Sequence, residues 1–362
     1  MSDRKYLGGC DIGGTRLRAM VTDRDGTELA RRAAGVDQQS RDGLVQLDER
    51  EWRYDRVAQQ VGELMEEALG EAQLGRDQLA ALGIGSAGPF DGGGIIDSTN
   101  IKPTAVPAGH RVRIPLVDPL SKAFGVPTVL LNDCSAGVLG DVVFGVGKGR
   151  DKSGLDIVYI TLSTGFGGGA YSRGHLLSGK DGNAAEVGHF WVVENGLKCG
   201  CGSYGCAEAY GSGSGVAKNA RMQLLNENFD SQMVDLARKA AEEDGREREH
   251  LTKFCLLEYV DASVVFEADR LGDALATRVV EEAIHCVGLA CSQIANAYDP
   301  EIISIGGSLG LANAERIIPG IAEEMQQHLN VAPPEILPTS LGHDVVLWGA
   351  IAAAMEAAGS AS

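Results

Sequence analysis

The chain has 362 residues, of which 50 are acidic and 32 basic, so its formal net charge is −18. This length corresponds to about two domains, and a hydrophobic fraction of 44% is enough for sizeable cores, which excludes a disordered chain. The acid excess argues against general binding to nucleic acid or anionic lipid, and no stretch approaches the roughly 18 apolar residues that cross a bilayer.

The acid excess has two interpretations, which are solubility in an ordinary cytoplasm and adaptation to a salt-rich one. The chain runs from its start into a strand-like motif without a signal-peptide core, which predicts a cytoplasmic protein. Three of the eight cysteines lie close together. In a reducing compartment such a cluster indicates a metal site more often than disulfides.

The first half of the chain is predicted to alternate between strands and helices. The predicted strands are 6–12, 17–22, 27–33, 82–84 and 129–131, and the polar stretch 36–50 is predicted to be a loop. A helical spacing of apolar residues covers 54–69. A second helix is predicted to open at Ile114 and Pro115, and a third, capped by Asn132 and Asp133, to run to about residue 142.

The second half is predicted to begin near residue 156 with a strand over 157–162. A glycine- and cysteine-rich irregular stretch over 183–210 follows, and a late strand over 301–305 ends at Gly306 and Gly307. The mixed-charge run 242–250 is typical of a solvated helix face or a loop. The predicted helices are 214–225, 231–243, 271–298, 313–328 and 346–358. This alternation of strands and helices predicts an α/β fold.

Two glycine-rich turns, one in each half, are candidates for phosphate binding. Asp11, Gly13, Gly14 and Thr15 end the first strand, and Thr164 and Gly165 follow the strand at 157–162. Glycines let backbone N–H groups approach a phosphate, and Asp11 is suited to hold Mg²⁺ through water. An ordinary hairpin explains the first turn alone, whereas the pair favours one polyphosphate bound by both turns.

Two other glycine patterns are excluded as nucleotide sites. Gly83, Gly85 and Gly88 have the spacing of a dinucleotide fingerprint, but Pro89 follows at once and prevents the helix which that fingerprint requires. The segment 147–149 lacks the Ser or Thr and the spacing of a P-loop.

Asn132 and Asp133 stand where a predicted strand meets a predicted helix. Both residue types fill N-cap positions well. A carboxylate at such a place can also act as the general base toward a substrate hydroxyl, and the local sequence leaves both interpretations open.

His189, Cys199, Cys201 and Cys206 have the spacing of a closed, tetrahedral zinc site with three thiolates and one imidazole. The alternative is a set of free thiols in a glycine-rich loop. Glu186 and Glu208 flank this group, and two rigidly held carboxylates suit the recognition of neighbouring sugar hydroxyls. The simpler alternative for Glu208 is a surface acid.

In this order the motifs resemble the ROK (repressor, ORF, kinase) family of sugar kinases over nearly the whole chain. They are the turn at 11–15, the pair at 132–133, the glycine loop at 162–169, Glu186 with the His-Cys knuckle at 189–206, and Gly306 with Gly307. The chain departs from the family pattern at Arg16, where Lys is frequent, and at Ser163, Ala184, Ala185 and Ala207. These departures weaken the inference about which sugar is bound.

The resemblance implies an actin/hexokinase-like α/β fold with two ribonuclease-H-like lobes and a cleft between them. The predicted smaller lobe is 1–131 with 345–362, and the larger lobe is 132–344, with the zinc knuckle and the adenosine side. It also implies phosphorylation of the 6-hydroxyl of a hexose, glucose foremost, by Mg-ATP, in a homodimer or homotetramer with structural zinc.

The resemblance also implies roles for individual residues. Asp133 matches the catalytic base, and His189 would place one nitrogen on zinc and the other toward the sugar. The sugar-binding positions are Asn100, Asn132, Asp133, Glu186, His189 and Glu208. The phosphate-side positions are Asp11, Gly13, Gly14, Thr15, Thr164 and Gly165, and the adenosine-side positions are Gly306 and Gly307.

Several alternatives stay open at this point. The sugar could be fructose, mannose, N-acetylglucosamine or N-acetylmannosamine, and the donor could be ADP or polyphosphate. A repressor of the same family would carry a helix-turn-helix segment ahead of the first glycine motif, whereas ten residues precede Asp11. A non-catalytic sugar sensor is expected to lose the phosphate turns or the base, and a zinc scaffold would leave most of the chain without a role.

Overall fold

The structure is a computed structural model that describes residues 4–98, 101–226, 230–247 and 251–360. It divides into two compact units. The first contains the chain through Leu155, Gly169–Ala185 and the chain from Thr339 onward, and the second contains Asp156–Gly168 and Glu186–Pro338. Among the described residues, none of the helices combines the length and the apolar character needed to traverse a bilayer.

Strands and helices alternate through both units. Up to Leu155 the elements are β1 (Tyr6–Ile12), β2 (Arg16–Asp23), β3 (Glu28–Gly35), β4 (Leu44–Gln46), β5 (Glu51–Tyr54), α1 (Arg56–Glu71), β6 (Leu79–Ser86), β7 (Gly94–Ile96), β8 (Arg111–Pro115), α2 (Val117–Phe124), β9 (Thr128–Asn132) and α3 (Asp133–Val143). The chain continues with β10 (Asp156–Leu162), β11 (Phe166–Ser172), β12 (His175–Leu176), α4 (Glu208–Gly211), α5 (Gly213–Asn226), α6 (Gln232–Glu243), α7 (Lys253–Glu258), α8 (Ala262–Arg270), α9 (Ala274–Tyr298), β13 (Ile302–Gly306), α10 (Ser308–Ala312), α11 (Ala314–Gln326), β14 (Glu335–Pro338) and α12 (Val345–Ser360).

The main sheet of the first unit has the strand order β3-β2-β1-β6-β9. Strands β1, β6 and β9 are parallel, and β2 and β3 extend the sheet in antiparallel fashion. The register pairs Ile12 with Ser86 and Ser86 with Asn132. The three parallel strands therefore end level, and the residues that follow them gather at one edge of the sheet.

The alternation of side chains along β1 divides the core of this unit between two helices. Cys10 and Ile12 belong to the cluster that contains the apolar face of α1. Leu7 packs instead with Leu347 and Ile351 of α12. Asp11 is two and four residues from Gly9 and Leu7, so it lies on the face of the sheet that α12 covers.

A second, smaller sheet of the order β4-β5-β8-β7 departs from two predictions. The predicted loop over 36–50 contains β4. The helix predicted to open at Ile114 and Pro115 begins only at Val117, because Ile114 pairs with Ile95 and Pro115 with Gly94 in β8. Proline lacks the N–H needed to continue a ladder, so here it ends a strand.

The other five-stranded sheet has the order β12-β11-β10-β13-β14, in which β10, β13 and β14 are parallel. The boundary between the units falls inside β11. The glycine run at 167–169, predicted as part of a loop, lies in this strand. Close packing within the first unit requires glycine at position 169, since a Cβ on Gly169 would lie 2.2 Å from the carbonyl oxygen of Cys134.

Residues 132–155, 169–185 and 339–344, which the prediction assigned to the larger lobe, lie in the first compact unit. Helix α3 is tied to the segment that leads into α12. The Thr339 hydroxyl donates to the carboxylate of Asp141 at 2.7 Å, and both side chains are buried. A buried hydrogen bond to a carboxylate is costly to break, so α3 and the C-terminal segment stay in one unit.

Candidate active site and metal centre

The turn over residues 13–15 joins β1 to β2 at the carboxyl edge of the first sheet. Its carbonyl groups are held by the protein: Gln38 Nε2 donates to Gly14 O at 2.6 Å, and the Val36 N–H donates to Thr15 O at 3.1 Å. In both bonds the turn supplies the accepting carbonyl oxygen, and the two bonds fix the position of the turn. The Gly13 N–H donates to Arg16 O at 2.9 Å, so an anion at this turn would have to be met by the other N–H groups.

Asp11 precedes this turn and faces Arg18 across the β1–β2 pair. The Arg18 Nε donates to Asp11 Oδ2 at 2.9 Å, and its Nη2 contacts the same oxygen. Burial raises the pKa of Asp11, whereas the Arg18 guanidinium opposes this rise. The carboxylate is thus oriented by a charged partner on the neighbouring strand.

The sequence left two roles open at the start of α3, which are helix capping and general base catalysis. The structure assigns the capping role to Asn132. Asn132 is the N-cap of α3, and its Oδ1 accepts from the N–H groups of Cys134 at 2.8 Å and Ser135 at 3.4 Å. Asp133 is the first helical residue, and its Oδ1 accepts from the Cys134 N–H at 2.9 Å. Asn132 therefore caps the helix, and the Asp133 carboxylate lies at the helix start.

The phosphate-type turn and Asp133 lie at the same edge of one sheet. Ile12, Ser86 and Asn132 share a register level, and the Ser86 hydroxyl contacts Ile12 O at 3.3 Å. Two strand spacings of about 4.8 Å each separate β1 from β9, so about 10 Å separates the residues that follow them. A phosphoryl group and an acceptor hydroxyl fit this distance.

In the second unit, His189, Cys199, Cys201 and Cys206 bring their ligand atoms within 4.8 Å of one another. Cys201 Sγ lies 3.8 Å from Cys206 Sγ, and Cys199 Sγ lies 3.8 Å from His189 Nδ1. A tetrahedron with Zn–S bonds of about 2.3 Å has edges of about 3.8 Å. The donor set and its spacing therefore fit a zinc ion.

Without a bound metal, the surroundings shift the pKa values of the three thiols in different directions. Burial raises the pKa of Cys199 and of Cys206, whereas a hydrogen bond from the backbone of Ser203 lowers the pKa of Cys201. Thiolate, not thiol, is the form that binds a metal. Zinc binding here would release protons and depend on pH.

Glu208 and Glu186 flank the thiol cluster within the second unit. Glu208 Oε2 accepts from the Phe166 N–H at 3.2 Å, and its Oε1 lies 3.3 Å from Cys199 Sγ. With 23% of its side chain exposed, Glu208 is not the freely solvated surface acid of the simpler interpretation. Glu186 Oε2 lies 3.9 Å from His189 Nε2, the ring nitrogen opposite to the one that faces Cys199.

The two glycine turns of the second unit lie side by side, because they follow the neighbouring parallel strands β10 and β13. The Ser163 and Ser308 hydroxyls are 3.1 Å apart, and Ser214 Oγ donates to Thr164 O at 2.7 Å. Gly307 has a φ of +83°, and a Cβ there would lie 2.3 Å from Leu162 O.

Of the predicted site residues, Asn100 lies outside the described residues.

Two residues that support Asp11 were not predicted from the sequence. Arg18 holds Asp11, and Asp344 in turn contacts Arg18. A signal for Arg18 was present, since a tight turn at 13–15 places residue 18 opposite residue 11. Asp344 gave no such signal because its partner is 326 positions away in the sequence.

Comparison with known proteins shows the family. The ROK family matches residues 7–357. A glucokinase of Thermotoga maritima is 31% identical over 357 residues, which cover 97% of this chain and 98% of that protein. An N-acetylmannosamine kinase of Shigella boydii is 27% identical over 346 residues, covering 94% and 95%.

Among solved structures, a ROK family glucokinase from Streptomyces griseus in complex with glucose and AMPPNP matches with a TM-score of 0.66. Its sequence is 27% identical, and the match covers 97% of this chain and 99% of that one. The chain belongs to the ROK family. The predicted actin/hexokinase-like α/β fold and the predicted class of enzyme, a sugar kinase, are thereby confirmed.

Proposed function

We propose that this protein is an ATP-dependent hexose kinase that phosphorylates the 6-hydroxyl of glucose, with Asp133 as the general base. The observation that carries the proposal is the register of the first sheet. It aligns Ile12 with Asn132, so a glycine turn suited to phosphate and a helix-start carboxylate follow strands that end level.

In the proposed reaction the Asp133 carboxylate accepts the proton of the 6-hydroxyl as the sugar oxygen attacks the γ-phosphorus. The bond between that phosphorus and the β–γ bridging oxygen breaks, and ADP leaves. Phosphoryl transfer needs mainly positioning and charge stabilisation, so one base at the start of α3 is sufficient on the acceptor side.

For the nucleotide we propose residues on the glycine turns of each unit. Asp11 would hold hydrated Mg²⁺, since a carboxylate oxygen is the ligand type that this ion prefers. Backbone N–H groups of the turns meet the phosphates. The proposed phosphate-side residues are Gly13, Gly14, Thr15, Thr164 and Gly165, and the proposed adenosine-side residues are Gly306 and Gly307.

For the sugar we propose the positions Asn100, Asn132, Asp133, Glu186, His189 and Glu208. Asn132 uses its Oδ1 to cap α3, so its Nδ2 is the group that would donate to a hydroxyl. Zinc held by His189, Cys199, Cys201 and Cys206 would supply a fixed, closed framework for the loop. His189 Nε2 then remains for the sugar, because Nδ1 faces the thiols.

Glucose is the first candidate because the Thermotoga maritima relative is a glucokinase and the Streptomyces griseus structure holds glucose. N-acetylmannosamine is the second candidate, supported by the Shigella boydii relative. The homodimer or homotetramer and the cytoplasmic location stay predictions.

The test is a coupled assay of ADP release with Mg-ATP against glucose, mannose, fructose, N-acetylglucosamine and N-acetylmannosamine, at low and at molar KCl. We expect the highest kcat/KM with glucose, and phosphorus NMR of the product should show a 6-phosphate. A higher kcat/KM with N-acetylmannosamine would move the assignment to the second candidate. No turnover with any of these sugars, in protein shown to hold zinc, would contradict the proposal.

A further inference from the structure

The carboxylate of Asp11 belongs to a chain of alternating charges in the first unit. Arg18 donates to Asp11 Oδ2 from Nε and contacts the same oxygen with Nη2. Its Nη1 donates to Asp344 Oδ1 at 2.7 Å. Arg31 contacts the other oxygen of Asp344 at 2.6 Å and also pairs with Glu28. One guanidinium thus joins the predicted magnesium ligand to a distant acidic residue.

The fold explains why these groups meet. Along β1, Leu7, Gly9 and Asp11 share the face that α12 covers, and Ile351 of α12 lies against Gly9. Nearer its start, α12 places Val346 against Gly85. The helix therefore runs opposite to the parallel strands, and Asp344, just before it, arrives at their carboxyl edge.

Arg18 is fixed from several directions. Besides the two carboxylates, its Nη2 donates to His343 O at 2.8 Å. The side chains of Arg18, Asp11 and Asp344 are 20%, 14% and 29% exposed, so none of the three is freely solvated. Charge-assisted bonds in such partly buried places are stronger than those at an open surface.

The bonds also select one oxygen of Asp11. Both guanidinium contacts end on Oδ2, so among the described residues Oδ1 is the oxygen that Arg18 leaves for a ligand. A carboxylate clamped through one oxygen presents the other in a single orientation, which lowers the entropy lost on binding.

We infer that Arg18 is a positioning residue for Asp11, and that Asp344 holds Arg18 in place for this task. The segment that leads into α12 thereby contributes to the binding of magnesium nucleotide without touching the nucleotide. The inference rests on the proposed function, because it takes Asp11 as the residue that faces hydrated Mg²⁺.

The test combines steady-state kinetics with calorimetric binding of Mg-AMPPNP and the midpoint of thermal unfolding. For Arg18→Gln we expect KM for Mg-ATP and Kd for Mg-AMPPNP to rise about tenfold or more, because bonds to a charged group are lost, with KM for glucose little changed. Arg18→Lys should recover part of the loss, and Asp344→Asn should show a smaller rise. Arg32→Gln on β3, which removes a pair with Glu71, is the matched control and should bind Mg-AMPPNP like the wild type.

A double-mutant cycle separates positioning from simple stabilisation. In an Asp11→Asn background, Arg18→Gln should raise Kd for Mg-AMPPNP little further, since its target is gone. Additive effects, or an unchanged Kd in Arg18→Gln with a lowered unfolding midpoint, would overturn the inference. If the wild type bound Mg-AMPPNP but phosphorylated no hexose, the proposed function would fail, and the binding cycle would still decide the role of Arg18.

Discussion

The carboxyl edge of the first-unit sheet and the loop over 186–208 of the second unit differ in what holds their polar side chains in position. At the sheet edge, Asp11 and Asp133 are placed by strand register and by a capped helix. In the loop, regular structure consists of a short helical turn over Val187–His189, the start of α4 and two isolated antiparallel β-bridges, which pair Trp191 with Cys206 and Lys198 with Tyr204. The first region is held by continuous strand pairing, whereas the second has only short backbone bridges and adds four potential metal ligands.

The difference predicts different weaknesses. A side chain at the end of a paired strand keeps its position as long as the sheet is folded. A glycine-rich loop loses much entropy on ordering, and the free energy of metal binding can offset that cost. Chemical steps in the first region should therefore respond to single side-chain changes, and binding in the second region should respond to loss of the metal.

The largest expected effect is the loss of turnover in Asp133→Asn. General base catalysis typically contributes about 10²- to 10⁴-fold, so kcat should fall by that factor. Binding of glucose, measured by calorimetry, should persist, since the amide keeps the shape and the position at the start of α3. Asp151→Asn is a control, because Asp151 caps a short turn over Lys152–Gly154. Near-normal turnover in Asp133→Asn would refute the assignment of the base.

The second effect is the response of the loop to loss of a metal ligand. In Cys201→Ser we expect zinc content, measured by elemental analysis, to fall and the unfolding midpoint to drop by about 5 °C or more. KM for glucose should rise more than KM for Mg-ATP. A chelator should reproduce these changes in the wild type.

Cys255→Ser is the matched control for this experiment. Cys255 is a half-buried free cysteine on α7 and is not part of the four-residue cluster. Its replacement should leave zinc content and KM for glucose unchanged. Full zinc content in Cys201→Ser would show that the metal, if bound, does not use this thiol.

Much of the first region could be predicted from local sequence. The strand-like run over 6–12 predicted the bounds of β1, and Asn132 indicated the start of α3 through its capping chemistry. These features depend on neighbours within a few residues. The strand β8 could not be predicted in the same way, since Pro115 favours a helix start locally and its strand partner Gly94 lies 21 positions earlier.

The site was predictable to a similar degree. Residue types with a fixed spacing, such as His189 with the three clustered cysteines, predict a metal site from the sequence alone. Asp344 has no local signature, because its relevance comes only from where α12 places it. Sequence patterns therefore indicated the groups that we propose to meet ligands, and the structure was needed to find Asp344 behind them.

A smaller effect should separate the two roles of Asn132. Asn132→Ala removes the N-cap of α3 and should cost about 1 kcal/mol of stability, whereas Asn132→Asp retains a capping oxygen but no amide donor. A rise in KM for glucose in both variants would support sugar binding by the Nδ2 group. A rise in the alanine variant alone would assign Asn132 to the cap and remove it from the sugar site. The measurements are the unfolding midpoint and KM for glucose.

The smallest expected effect tests the regular part of the second unit, where helices rather than a metal hold the chain. Glu324 on α11 contacts His285 of α9 at 3.0 Å and His328 at 3.3 Å. The hydrogen bond with His285 is the main cause that lowers the pKa of Glu324 below its usual 4.5. In Glu324→Gln we expect a loss of about 0.5 kcal/mol at pH 5.5, read as a fall of the unfolding midpoint.

The sign of the pH dependence follows from the lowered pKa. The unfolded chain binds the proton of Glu324 at a higher pH than the folded chain does, so the stabilisation is complete above pH 4.5 and is lost as the pH falls through the folded value. The difference between wild type and Glu324→Gln should therefore shrink toward pH 3. The exposed neighbour Glu323 provides the control, and Glu323→Gln should show no such convergence. A difference that stayed constant from pH 5.5 to pH 3 would mean that the carboxylate charge does not hold α9 and α11 together.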